Sequence, residues 1–230
     1  MRLHRFIGTF DLSQKTLAIT DSELASQWRN VLRLKTGDTI ILCDGKGLEA
    51  HATITGMDRS SAQVSIESVE KPERVARKKA ELFCALLKRE NFELICQKAT
   101  EIGIETITPI LTNRTVKTGF NRERIEKIIR EASEQSGRTT LPVLNEPTTL
   151  AEAMISVTPG RSVFFDLSGK ELTQEEYTSE ITSCFIGPEG GFTEEETETA
   201  QKTGLIIGSL GKLTLRGETA AIVASYLITR

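Results

Sequence analysis

Histidine, cysteine and tryptophan are scarce in this chain, and each scarcity narrows its chemistry. Among 230 residues there are two histidines, His4 and His51, and neither has a ligand-spaced neighbour in sequence. No metal site is expected. A Ser-His-Asp or Cys-His triad is argued against as well, because both histidines lie outside the glycine-rich second half. The four cysteines, Cys43, Cys84, Cys96 and Cys184, are scattered without a C-x-x-C pair, so free thiols in a reducing cytoplasm are expected. No apolar run approaches the roughly 18–20 residues of a membrane span. The opening MRLHRF has no apolar h-region, so no membrane association or export is expected. Positive charge is not in excess either: 29 Lys and Arg face 32 Asp and Glu, for a net charge of −3. Such a chain does not grip nucleic acid over its whole surface, so the placement of its cations matters more than their sum.

Those cations gather early. Arg2, His4 and Arg5 open the chain, Arg29, Arg33 and Lys35 form a second group, and the run from Lys71 to Lys79 a third. Each group alone also reads as a solvated face. Three of them within the first eighty residues make an RNA-facing N-terminal part the competing reading. The first seventy residues read mainly as strands, at 39–43, 48–55 and 61–68, with Ala62, Val64 and Ile66 on one face of the last. A helix over 21–33, opened by Thr20 and Glu23 at capping-box spacing, interrupts them. This pattern suits a small β-barrel, with Trp28 as a core anchor rather than a base-stacking platform.

From Ala80 the pattern becomes strand–helix alternation, the mark of a parallel sheet. Strands are predicted at 80–87, 105–111, 142–144 and 161–166, and helices at 90–102, 121–136 and 148–156. Pro72, inside its charged run, is the linker candidate, giving domains 1–71 and 72–230.

The most informative stretch follows. Ile181 to Ile186 suits a buried strand, and Gly187-Pro188-Glu189-Gly190-Gly191-Phe192 is a glycine turn holding one carboxylate. Thr193 and Glu196 then have capping-box spacing for a helix start. Glycine lets backbone approach a ligand closely, and in open α/β sheets ligands sit beyond the carboxyl ends of strands. Glycine also punctuates ordinary turns. The loop matches neither G-x-G-x-x-G nor the P-loop. A second strand-and-glycine unit, Leu205-Ile206-Ile207-Gly208-Ser209-Leu210-Gly211, leads through Lys212-Leu213-Thr214-Leu215-Arg216-Gly217-Glu218 into an apolar terminal helix. Two such loops on one sheet edge suit a flat, uncharged or zwitterionic cofactor better than a polyphosphate.

The segments IGPEGGFTEEE and SLGKLTLRGETAA resemble the two C-terminal motifs of the RsmE branch of SPOUT RNA methyltransferases. Three further segments agree: Val31-Leu32-Arg33-Leu34-Lys35-Thr36-Gly37-Asp38, Lys98-Ala99-Thr100-Glu101-Ile102-Gly103 and Glu131-Ala132-Ser133-Glu134-Gln135-Ser136-Gly137-Arg138. The resemblance implies an α/β fold: a SPOUT domain with a deep trefoil knot, preceded by a small PUA-like β-barrel. It also implies a homodimer that uses S-adenosylmethionine to methylate N3 of a uridine, the equivalent of U1498, in 16S rRNA of the small subunit. Two positions depart from the family pattern. Gly217 stands where a Thr is usual, and Gln27-Trp28-Arg29-Asn30 where His residues are common.

In the family the knot gathers three loops into the cofactor pocket. Carried onto this chain, the cofactor-binding candidates are Phe165, Asp166, Ile186, Gly187, Pro188, Glu189, Gly190, Gly191, Leu210, Gly211, Leu215 and Ala220. A protonated uridine N3 is a poor nucleophile and needs a base, or a cation that stabilises the uridinate oxygens. Arg216 is the candidate for the second role, and Glu218 for orienting it or taking the proton. RNA-contact candidates are Arg2, Arg5, Arg29, Arg33, Lys35, Arg114, Gln135 and Arg138. Rival readings are a non-catalytic RNA-binding assembly factor of the same fold, a methyltransferase acting on another RNA atom, and a metabolite-binding α/β protein.

Overall fold

The computed structural model describes residues 3–72, 79–116, 119–173, 175–176 and 181–230. Arg2 and most of the basic run at 71–79 (residues 73–78) lie outside the described residues. The chain divides into two compact units, one holding residues 1–75 with 133–141, the other 76–132 with 142–230. No helix among the described residues is long and apolar enough to cross a membrane.

The first unit is built on a five-stranded sheet. Its strands are β1 (Arg5–Ile7), β2 (Thr16–Ile19), β3 (Thr39–Cys43), β4 (Glu49–Met57) and β5 (Ala62–Glu70), in the order β1-β3-β4-β5-β2. β1 runs parallel to β3 and the other neighbours are antiparallel. Alternation places Ile40, Leu42, Ala52, Ile54, Ala62 and Val64 in a single core, where Trp28 is fully buried and its ring lies 4.8 Å from that of Phe6. Trp28 is the anchor its size suggested. The helix before it is shorter than expected: α1 spans only Ser22–Ser26 and gives way to a π-helical turn at Gln27–Val31. Its cap is Asp21 rather than Thr20, because the Asp21 carboxylate accepts from the Glu23 and Leu24 N–H groups at 2.9 and 3.1 Å.

The second unit carries β6 (Glu81–Ala85), β7 (Thr106–Leu111), β8 (Val143–Leu144), β9 (Thr148–Thr149), β10 (Ser162–Glu171), β11 (Ser183–Ile186) and β12 (Ile206–Ser209). The order is β12-β10-β11-β6-β7-β8, with β9 also on β7, and every pairing is parallel. All strands therefore end on one edge. Helices α2 (Arg89–Ile102), α3 (Arg122–Ser136, whose residues from Ser133 on belong to the first unit), α4 (Leu150–Ser156), α5 (Glu194–Lys202) and α6 (Gly217–Ile228) complete the unit. On one face, Phe83, Phe164 and Phe185 pack with Leu150, Ala153 and Met154 of α4 and Ala200 of α5. α6 packs against α2 and against the central strands β11 and β6.

Two expectations shift here. Residues 148–149 pair as a strand, so α4 begins at Leu150 with Thr149 and Glu152 forming its capping box. β10 runs past Asp166 after a register shift between Phe165 and Lys170. Its return is possible because Gly169 has no side chain: a Cβ there would stand 2.5 Å from the Gly208 carbonyl carbon.

Candidate functional site

The irregular stretch of β10 at Phe165–Leu167 and the loops following β11 and β12 meet at the carboxyl edge of the sheet around a cavity of about 580 Å³. That lies within the roughly 300–1,000 Å³ typical of small-molecule sites. Every cofactor-binding candidate lines it: Phe165 and Asp166, Ile186 through Gly191, Leu210, Gly211, Leu215 and Ala220. Arg216 and Glu218 line it too. These residues come from segments up to fifty-five positions apart, gathered by the parallel sheet and by α6 crossing to its centre.

Local chemistry shapes each loop. The Asp166 carboxylate folds its own turn, accepting from the Ser168 N–H at 2.9 Å and hydroxyl at 2.6 Å. Phe192 tucks beneath the glycine turn with its ring 3.9 Å from that of Phe164, and a Cβ on Gly187 would stand 3.0 Å from it. Gly191 takes φ +68°, a conformation L side chains rarely adopt. Thr193 and Glu196 form the expected capping box, and the buried Glu196 does more. Its Oε1 accepts from the Asn113 N–H at 2.8 Å, tying the loop after β7 to the start of α5.

That tie places Arg114. Its Nη1 donates to the Gly190 carbonyl at 2.6 Å and the Phe192 carbonyl at 3.1 Å, so this guanidinium supports the glycine turn. Arg5 differs from its expected role. It is buried with Glu49 in an ion pair and donates to Cys43 Sγ at 3.0 Å, so its charge is neutralised within the core. Gln135 and Arg138 belong to the 133–141 segment of the first unit, where Arg138 Nε donates to the Thr140 carbonyl at 3.2 Å.

Arg29, Arg33 and Lys35 gather in one groove of the first unit, joined by Arg59, which sequence reasoning missed. All four are exposed and carry no ion pair among the described residues. Among the described residues, Arg33 is also the non-glycine residue held at positive φ, +56°. Strained backbone of this kind concentrates at functional sites. Among the described residues, one His–acid group brings ligand atoms within 4.8 Å, namely Glu49, His51 and Glu70, so His51 gains neighbours that strand register supplies and sequence spacing hides. Glu49 already pairs with Arg5.

Lys88, Asn91, Leu167, Phe192, Ser209, Leu213 and Thr214 also line the main cavity. The signal for the first two was the β6–α2 junction, which ends on the same edge as the glycine loops. The wall is apolar along Phe165, Leu167, Ile186, Leu210, Leu213 and Leu215 and offers carboxylates at Asp166, Glu189 and Glu218. Glycine backbone, apolar side chains and isolated charges fit a flat zwitterionic molecule carrying a positive centre.

Comparison with known proteins agrees with this geometry. A family model described as an RNA methyltransferase domain matches residues 74–229, and one described as an RNA methyltransferase PUA domain matches residues 29–67. The ribosomal RNA small subunit methyltransferase E of Synechocystis is 34% identical over 92% of this chain and 72% of that protein. The crystal structure of its namesake from Neisseria gonorrhoeae, bound to S-adenosylmethionine, superposes with a TM-score of 0.90 at 27% identity, covering 97% of this chain and 95% of that one. A Legionella pneumophila methyltransferase, also in complex with S-adenosylmethionine, gives 0.89 at 28% identity, covering 99% and 97%.

Proposed function

The chain belongs to the RsmE family of RNA methyltransferases, and on that premise we propose that it methylates N3 of a uridine in 16S rRNA, the equivalent of U1498. The observation that carries this reading is the single cavity uniting the β10 stretch and the loops after β11 and β12 with Arg216 and Glu218. S-adenosylmethionine supplies the methyl group when bound: the N–C bond forms as the methyl–sulfur bond breaks, its electron pair staying on sulfur. The residues present fit this cofactor. The apolar wall would face the adenine, and Glu189 and Asp166 supply negative charge against the sulfonium. Much of the acceleration in such a displacement comes from positioning.

Among the described residues the Arg216 guanidinium at the start of α6 carries no hydrogen bond or ion pair, so it is available to a developing uridinate. Glu218, two residues on and lining the same cavity, orients Arg216 or accepts the proton. N3 lies on the Watson–Crick edge, so the target base must be unpaired or flipped, and recognition rests on folded RNA and backbone phosphates. The groove of Arg29, Arg33, Lys35 and Arg59 supports residues 1–71 as the RNA-binding domain, with 72–230 catalytic. The path of α6 from edge strand β12 to the sheet centre supports the trefoil knot. α2 and α6 expose Leu94, Val223 and Tyr226, an apolar surface that supports a homodimer. Four buried thiols suit the reducing cytoplasm, where ribosomes assemble.

The test is transfer of labelled methyl from S-adenosylmethionine to purified RNAs. Incorporation is expected into small-subunit RNA, with large-subunit RNA and tRNA blank. Label confined to either of those would remove the proposed substrate.

A further inference from the structure

Leu87, the last buried residue before α2, packs on Gly217: a Cβ on Gly217 would lie 2.8 Å from Leu87 Cδ1. The neighbour of each partner in this contact lines the cavity, Lys88 on one side and Arg216 on the other. The two cations therefore flank one joint at one end of the site. Lys88 is fixed at its backbone, where its N–H meets Glu189 Oε1 at 3.4 Å and its carbonyl accepts from the Asn91 N–H at 2.9 Å. Its side chain makes no capping bond to α2. Among the described residues, the Lys88 ammonium, the Asn91 amide and the Arg216 guanidinium carry no hydrogen bond or ion pair. Three unengaged donor side chains in one cavity call for an acceptor-rich partner.

Resting on the reading above, we infer that Lys88 is a further catalytic residue: with Arg216 it holds the two carbonyl oxygens of the target uracil and stabilises its N3 anion. When the N3–H proton leaves to Glu218 or to water, the bonding pair stays on the imide and its charge spreads to O2 and O4. Those oxygens lie on either side of N3, so two cations are better placed than one to receive that charge. Asn91 adds a neutral donor beside Lys88. Loss of one such donor typically costs about 10²–10³ in rate. The chemistry selects a uracil-like imide, flanked on both sides by acceptors, over a cytosine, whose exocyclic amine would meet a cation.

The test uses full-length Lys88→Met and Lys88→Arg proteins with small-subunit RNA containing either uridine or 5-fluorouridine, whose N3 is more acidic. Single-turnover methylation is followed against pH, and S-adenosylmethionine affinity is measured by calorimetry. Lys88→Met is expected to lower the rate about 100-fold at neutral pH, with the loss shrinking as pH rises and largely recovered on 5-fluorouridine RNA. Lys88→Arg should retain most activity, and cofactor affinity should be unchanged in both. Weakened cofactor binding with an unaltered rate would overturn the inference, reassigning Lys88 to the cofactor carboxylate. An unaltered rate and pH profile would overturn it too. Wild-type protein forming no 3-methyluridine removes the underlying reading; an active wild type beside an unaltered Lys88→Met removes only the role of Lys88.

Discussion

Leu87 and Gly217 share one volume: a Cβ on Gly217 would stand 2.8 Å from Leu87 Cδ1 and 3.4 Å from Cδ2. Leucine fills the space that the threonine usual in the family would enter. Gly217→Thr is expected to lower stability in urea by about 1–3 kcal/mol through overpacking. In a Leu87→Ala background the same change should be neutral or favourable, since it fills a cavity and removes a helix glycine worth about 0.5–1 kcal/mol. Additive effects of the two substitutions would show that the residues do not compete for that space.

Arg5 and Glu49 form a buried pair, and breaking it from one side leaves an uncompensated charge. Arg5→Ala should lower the unfolding free energy by about 3–5 kcal/mol. Arg5→Met with Glu49→Leu should recover most of that loss. An unchanged urea midpoint accompanied by weaker RNA binding would return Arg5 to the RNA surface.

Burial raises the pKa of the Glu81 carboxyl, and nearby Glu105 raises it further. The protonated form is thus favoured in the fold. Its stabilising contribution is complete below the unfolded value of about 4.3, and is lost as pH rises through the higher folded value. Glu81→Gln should therefore raise the urea midpoint at pH 7 and leave it unchanged at pH 4. An equal shift at both pH values would show that packing, not ionisation, is responsible.

Burial also pushes up the thiols of Cys84, Cys96 and Cys184, and raises Cys43 despite the Arg5 beside it. A disulfide reagent at pH 8 should label none of the four in native protein and all four in guanidinium. Rapid labelling of any one under native conditions would place it at an accessible surface.

The sequence announced those parts of the site whose function resides in backbone. Gly187, Gly191 and Gly211 mark loops because few other residues fit them, and Thr193 with Glu196 marks a helix start by short-range hydrogen bonds. Parallel strands with short apolar runs placed the loops on one edge. Side chains whose partners are distant in sequence were not legible. Arg5 looked like a surface cation because Glu49 lies forty-four positions away, and Arg114 because the Gly190 carbonyl lies seventy-six away. Lys88 and Asn91 went unnoticed because their junction has no glycine and no capping side chain. Asp21 displaced Thr20 as a cap because both have helix-start chemistry and spacing alone does not choose between them.

Nucleoside mass spectrometry addresses the central claim most directly. Small subunits from a strain lacking the gene would be incubated with S-adenosylmethionine and either wild-type protein or Arg216→Ala, then digested and analysed. 3-Methyluridine is expected with the wild type, falling by about 10²–10³ in rate with Arg216→Ala while RNA binding is retained. A different methylated nucleoside, or 3-methyluridine formed equally well without Arg216, would contradict the assignment of this cavity to uridine N3 chemistry.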